Sequence, residues 1–285
     1  MIERANRFSI CAAVPGRLES GTRERTQMND TPSTTDSIHP ASPRIERVRH
    51  ELKRRSLTVT ATERLTPQML RLTLSGEDLA DFASAAPDDH IKIFVPTEGE
   101  VERRDYTPRR FDRQSRTLVV DFAVHEAGPA TAWALAAKPG SVLEIGGPRG
   151  SGVISGVRRW LLIGDETALP AIGRRIEEAD ADATITAIGA VAGPEEQQLF
   201  ASRARLTTLW AHRPLADAAS AEALLAVLES VALEPETYVW IAAEASVARA
   251  LRAYLVSERG HPLAWLKAAG YWSQGKADAH ETIGD

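Results

Sequence analysis

From Ser56 onward, apolar and polar positions alternate along the chain. Leu57, Val59 and Ala61 interleave with Thr58 and Thr60, and Leu70, Leu72 and Leu74 interleave with Arg71 and Thr73. Successive side chains of an extended strand point to opposite faces, so both stretches predict antiparallel strands with one buried and one solvated face. Thr66-Pro67 marks the turn between them, and Ser75-Gly76-Glu77-Asp78 ends the second. His90 to Val95 predicts a third strand, stopped by Pro96. Residues 117–125 and 141–145 predict two more, with a short helix over 130–137 between them. Short strands parted by turn signals, with one small helix, predict a closed antiparallel β-barrel.

After Gly152 the period changes. Trp160-Leu161-Leu162-Ile163 is continuously apolar, as expected of a strand covered on both faces. A helix over 168–179, strands over 184–191 and 206–210, a helix over 221–230 and a strand over 238–242 follow. Ser246 is the expected cap of a last helix that carries Val247, Leu251, Tyr254 and Leu255 on one face, with Gly260 just past its end. Alternating strands and helices predict a parallel α/β sheet of the nucleotide-binding type. The expected organisation is a barrel domain over 46–152 and an α/β domain with a C-terminal tail over 153–285. Residues 1–45 are polar and aperiodic and are expected to form a disordered leader, with Met28 as an alternative start.

Composition narrows the function classes. No apolar run approaches the roughly 20 residues of a membrane span. Phe8 to Val14 is too short for a signal peptide and is broken by Pro15-Gly16-Arg17. The single cysteine, Cys11, leaves no partner within the chain for a disulfide, an iron–sulfur cluster or a thiolate zinc site, and a reducing cytoplasm is the expected location. A net charge of −5 argues against nucleic-acid affinity. The 29 arginines against five lysines reflect either genomic base composition or a need for phosphate-binding forks.

Four segments carry candidate chemistry. Arg103-Arg104-Asp105-Tyr106-Thr107-Pro108-Arg109 gathers an aromatic ring, a hydroxyl and several guanidiniums. These suit a flavin face, a flavin edge and phosphate oxygens, and they equally suit a solvated rim. In Asp121 to Trp133 a strand runs through His125 into Gly128-Pro129 and a helix begins at once. Its free amides, with Thr131, make either an anion site or a plain structural turn. Gly146-Gly147-Pro148-Arg149-Gly150-Ser151-Gly152 is either a phosphate contact or an interdomain hinge. Gly164-Asp165-Glu166-Thr167-Ala168-Leu169-Pro170-Ala171 follows the first buried strand, where a dinucleotide fingerprint would be glycine-rich. Here acidic side chains occupy the approach. They would repel phosphate yet accept hydrogen bonds from adenine or ribose, unless they simply cap the helix.

The Arg-x-Tyr-Thr pattern of Arg104, Tyr106 and Thr107 resembles the flavin-binding signature of the ferredoxin-NADP reductase superfamily. Its continuation through Pro108 and Arg109 resembles the siderophore-interacting protein family, as do His125-x-x-Gly128-Pro129-Ala130, Gly147-Pro148-Arg149-Gly150, Asp165 to Ala171 and Gly270-Tyr271-Trp272, in the same order. The resemblance spans about residues 50–276. It implies an FAD-dependent ferric-siderophore reductase that takes electrons from NAD(P)H or a ferredoxin, holds no metal of its own and needs no proton-transferring catalytic residue. Tyr106 would then stack on the flavin, Thr107 would reach its edge and Arg104 its pyrophosphate. His125, Gly128, Ala130 and Thr131 would cradle that pyrophosphate, with Arg149, Gly150 and Ser151 as further cofactor contacts. Asp165, Glu166, Thr167 and Ala168 would lie at the adenosine end or between the cofactors. Trp272 would lie near the flavin or nicotinamide, or else plug the tail into place. An anionic siderophore complex calls for a basic rim, for which Arg249 and Arg252, one helical turn apart, come first, followed by Arg109 and Arg110. Two rivals remain: a general flavin reductase of the same fold and a siderophore-binding module without redox chemistry.

Overall fold

A computed structural model of the protein describes residues 42–97, 99, 101–124, 128–276 and 281–284, all of them within the unit Pro40–Asp285. Its first part holds β1 (Arg44–Arg49), β2 (Arg54–Thr66), β3 (Met69–Ser75), β4 (Ile91–Pro96), β5 (Val101–Tyr106), β6 (Arg110–Asp112), β7 (Thr117–Ala123), α1 (Pro129–Ala136), β8 (Val142–Gly146) and β9 (Gly150–Ser155). The second part holds β10 (Arg159–Gly164), α2 (Leu169–Glu178), β11 (Thr184–Val191), β12 (Arg205–His212), α3 (Glu222–Glu229), β13 (Thr237–Glu244), α4 (Ala245–Ser257), β14 (Leu266–Trp272) and β15 (Glu281–Ile283).

Seven strands form an antiparallel sheet in the order β5-β4-β8-β2-β3-β7-β6. The alternation read from the sequence is what folds it. Leu57, Val59, Leu72, Leu74, Ile91, Ile93, Leu118, Val120, Leu143 and Ile145 all face one shared core. The sheet curls until β5 comes against β7, giving a barrel whose ladder, among the described residues, ends at β5 and β6. The helix α1 packs against β3, β4, β5 and β7 and places Ala130 and Ala134 in that core. A separate antiparallel ribbon pairs β1 with β9, so β9 crosses the boundary expected at residue 152 and β1 opens within the segment expected to be a leader.

The second sheet runs β12-β11-β10-β13-β14-β15. It is parallel from β12 through β14, with β15 antiparallel at its edge. Trp160 and Leu162 of β10 pack on the face covered by α2, through Ile172 and Ile176. Leu161 and Ile163 pack on the other face, under α3 and α4, with Leu224, Leu228, Val247 and Leu251. This double covering explains the unbroken apolar run. The chain leaves β10 toward β11 on one side and later returns to β13 on the other, so the gap between the ends of β10 and β13 is a topological switch point. Glu244, not Ser246, caps α4: its carboxylate accepts from Ser246 N and Val247 N, and Ser246 lies inside the first turn. Burial works against ionisation of Glu244, but a hydrogen bond from the Ser246 hydroxyl, with those from Gln274 N, Ser246 N and Val247 N, holds its carboxyl below the ordinary range.

The two sheets are clasped by buried polar groups. Arg174 of α2 is 3% exposed; it donates to Ser84 Oγ at 2.7 Å, to Ser84 O at 3.0 Å and to Pro108 O at 3.0 Å. Glu196 accepts from Thr66 Oγ1 at 2.5 Å and from Gln68 N at 3.1 Å. Asp88 accepts from Trp240 Nε1 and Lys267 Nζ. Apolar packing crosses the junction too, since Met69 of β3 belongs to the core of the second sheet.

Candidate functional site

The first candidate region lies where β5 ends and α1 begins. Tyr106 packs its ring on Phe122, with centroids 4.3 Å apart and planes at 40°. Burial pushes its phenol well above the ordinary value, while the Arg104 guanidinium pulls the other way, so the hydroxyl stays neutral. Arg104 is anchored by its Nη1 to Arg103 O at 2.8 Å and by an ion pair with Glu102 at 3.0 Å, yet its side chain keeps 26% of its surface exposed. Thr107 is buried. Gly128 caps α1 in extended geometry with no side-chain hydrogen bond to the helix end, and Pro129 occupies the first turn. That turn holds no acidic residue, and Thr131 within it is buried. The helix α1 rests on β5, the strand that carries Arg104. Free amides, a hydroxyl and a guanidinium are the donor set a diphosphate needs, so these residues fit the pyrophosphate of FAD. His125 lies outside the described residues.

The second region is the turn between β10 and α2, and it is differently built. Asp165 is 1% exposed. Its Oδ1 accepts from Thr167 N at 3.0 Å and Thr167 Oγ1 at 2.6 Å. Its Oδ2 accepts from Glu244 N at 2.8 Å and Trp272 Nε1 at 2.8 Å. Glu166 holds Arg213 in a fork of 3.0 and 2.9 Å. Burial raises the Glu166 carboxyl above its ordinary range, and Asp165 adds to this against the pull of Arg213. The hydrogen-bonding capacity of Asp165 expected to serve adenosine is thus taken up within the chain, and both carboxylate oxygens of Glu166 are engaged by Arg213. Ala168 is fully buried, packed under Gly164, where an added Cβ would stand 2.5 Å from the Ala168 Cβ.

The remaining expected residues are scattered. Ser151 is buried in a network of its own. It donates to Asp89 Oδ2 at 2.6 Å, accepts from Ala85 N at 3.0 Å, and lies 2.7 Å from His50 Nε2. Since its one proton goes to Asp89, the hydrogen bond to histidine requires the proton on His50 Nε2. Gly150 lets β1 approach: a Cβ there would meet Val48 O at 2.9 Å. Arg149 is exposed beside it. Arg109 is 4% exposed and forks onto Glu177 of α2 at 2.8 and 2.5 Å. It is accommodated because Gly173 has no side chain, a Cβ there falling 2.9 Å from the Arg109 Nη2. An incoming anion would have to break that pair, whereas Arg110 stays exposed with a longer contact of 3.4 Å to the same carboxylate. Arg249 pairs with Glu281 of β15 at 2.8 Å, and Arg252 is half-buried one turn on.

A cavity of about 400 Å³ opens at the junction of the two sheets. Gln68, Ala123 and Val124 line it from the first sheet, and Glu166, Thr167 and Trp272 from the second. The Gln68 Oε1 is buried without a hydrogen-bond partner. Sequence reasoning passed over Gln68, Arg213 and the carboxylate of Glu244. Nothing local marks the first two, because their roles depend on partners far along the chain.

Residues 157–275 match the family model described as Siderophore-interacting protein, and residues 58–103 and 96–152 match the Siderophore-interacting FAD-binding domain. An NADPH-dependent ferric-chelate reductase of Escherichia coli (strain K12) is 32% identical over 251 residues, which span 80% of this chain and 96% of that protein. Among solved structures, a siderophore utilization protein from T. fusca aligns with a TM-score of 0.77 and 34% identity, covering 83% of this chain and 98% of the other. The siderophore-interacting protein SipS from Aeromonas hydrophila aligns with a TM-score of 0.69 and 28% identity, covering 80% and 93% respectively. With both parts matched in chain order and the Escherichia coli reductase covered almost end to end, the chain belongs to the siderophore-interacting protein family and carries that family's FAD-binding domain.

Proposed function

We propose that the protein is an FAD-dependent ferric-siderophore reductase that draws its electrons from NADPH. The observation that carries this reading is that α1, whose first turn holds no acidic residue and whose N-cap is Gly128, packs on the arginine-bearing strand β5 within a matching FAD-binding domain. The chemistry FAD supplies when bound is the conversion of a hydride equivalent into single electrons. Arg104 and the amides of α1 hold the pyrophosphate, with Thr131 as an added donor. Tyr106, backed by Phe122, offers a rigid neutral ring to the isoalloxazine, and Thr107 reaches its edge. Trp272 and Gln68 wall the cavity where the reducing end of the donor meets the flavin and water is kept out. The substrate is Fe(III) in a shell of hard oxygen ligands, which hold the reduced ion less well and so let Fe(II) go. Arg249 and Arg252 of α4 are the first candidates to gather the anionic complex, with Arg110, beside α2, as a separate second candidate. The donor reading extends to NADH or a ferredoxin, and the place of action is the cytoplasm.

The test is direct. Purified protein should be yellow from bound flavin, NADPH should bleach it without air, and a ferric siderophore should restore the colour while a ferrous chelator traps Fe(II). A colourless protein that reduces no ferric chelate overturns the reading. Free flavin reduced faster than every ferric chelate would make it a general flavin reductase.

A further inference from the structure

In an open parallel sheet the phosphates of a dinucleotide rest at the N-terminus of the helix that follows the central strand, beside the switch point. In this chain that position is the β10–α2 turn, and a carboxylate of the protein already fills it. An ionised carboxylate offers about four acceptor sites, and Asp165 has four donors on them: Thr167 N, Thr167 Oγ1, Glu244 N and Trp272 Nε1. These donors come from the lead-in to α2, the end of β13 and the end of β14, so they converge from the sides a bound phosphate would use. The backbone beneath is equally closed. An added Cβ on Gly164 would stand 2.7 Å from Ala242 O. Glu166 puts a second carboxylate on the approach, fixed there by Arg213.

We propose that Asp165 is a built-in anion that shuts the switch point to the donor's pyrophosphate, leaving a reduced nicotinamide nucleotide to be recognised by its nicotinamide–ribose half in the cavity between Gln68 and Trp272. The proposal rests on the reading of the protein as an NADPH-dependent reductase and deepens it. The cavity, at about 400 Å³, is at the small end of the range for ligand pockets. Gln68 Oε1 is buried there without a partner, and a carboxamide N–H is a donor of the right kind. The backbone of Gln68 is held by Glu196 across the junction. Asp165 acts twice: it excludes phosphate, and through the Trp272 indole it sets the opposite wall of the cavity.

The test uses the flavin-loaded wild-type protein and reduced nicotinamide mononucleotide, which lacks the adenosine half. Its kcat/KM for flavin reduction is expected within about threefold of that for NADPH, whereas loss of a dinucleotide-binding site would cost about a hundredfold or more. In equilibrium dialysis ADP-ribose should fail to bind at concentrations where NADP+ binds. Asp165→Gly should gain ADP-ribose binding by about tenfold or more as Thr167 N, Glu244 N and the Trp272 indole are released and the carboxylate is removed; the wild-type measurements decide the matter even where this variant does not fold. A protein that NADPH reduces well and the mononucleotide reduces poorly, with ADP-ribose bound, overturns the proposal alone. A protein that NADPH does not reduce overturns the reading beneath it.

Discussion

Two turns in this molecule carry a strand into a helix beside a candidate ligand site, and they differ in the polar groups described around the helix start. At β7–α1 and at β10–α2 alike, a proline stands in the first helical turn and the N-cap residue, Gly128 or Ala168, makes no side-chain hydrogen bond to the helix. Both present the positive end of a helix dipole. Before α2 the chain supplies Asp165 and Glu166, and the positive end is neutralised from within. The first turn of α1, like that of α2, holds no carboxylate, and its buried Thr131 adds a hydroxyl. Helix geometry alone therefore does not identify an anion site. What decides is whether the fold has brought its own anion to it.

The largest expected effect separates the turns by stability. Arg213→Met leaves Glu166 as a buried, uncompensated charge and should cost about 3–5 kcal/mol, read from the denaturation midpoint. Thr131→Ala, at the α1 turn, should cost no more than about 1 kcal/mol. Equal losses would show that both turns are structural and dissolve the contrast. A smaller effect comes from giving α1 what α2 has. Thr131→Asp should weaken FAD binding about tenfold, or roughly 1.4 kcal/mol, in a fluorescence titration of the apoprotein; unchanged affinity would place the pyrophosphate elsewhere. The smallest effect is a dependence on pH. Glu166 has a folded value above its ordinary 4.5, so the native state binds more protons than the unfolded chain just above that pH. Stability from this group is complete below about 4.5 and declines as pH rises through the raised value. Glu166→Gln should remove that part of the slope, whereas α1 from Pro129 to Ala136 has no side chain that titrates in this range.

Strands with one buried face could be read directly from the chain. Leu72 and Leu74, or Ile91 and Ile93, repeat every second residue because a single core lies on one side of them. The charged strand β5, Val101 to Tyr106, gives no such alternation, since it lies at the sheet's edge and buries little. The strand β14 is built around Ala268, Ala269 and Gly270, small residues that fit under α4 but carry no hydrophobic period. The candidate site divides in the same way. The acidic residues before α2 stand out in sequence, but their use does not: Arg213 lies 47 residues from Glu166, and Trp272 lies 107 from Asp165. Ser151, read within a glycine-rich loop as a cofactor contact, gives its proton to Asp89, 62 residues away. Local pattern reports which face of an element is buried. It does not report which distant polar group will meet it.

Met69 sits on a strand of the first sheet and fills space in the core of the second. The smallest piece of this protein that can be exchanged is therefore larger than either sheet. A barrel half transplanted from a relative would bring its own side chain to that position and leave the recipient's α2–β10 packing either hollow or overfilled. The two halves must drift together in sequence, and a chimaera joined near residue 152 inherits a mismatch at residue 69, far from its seam.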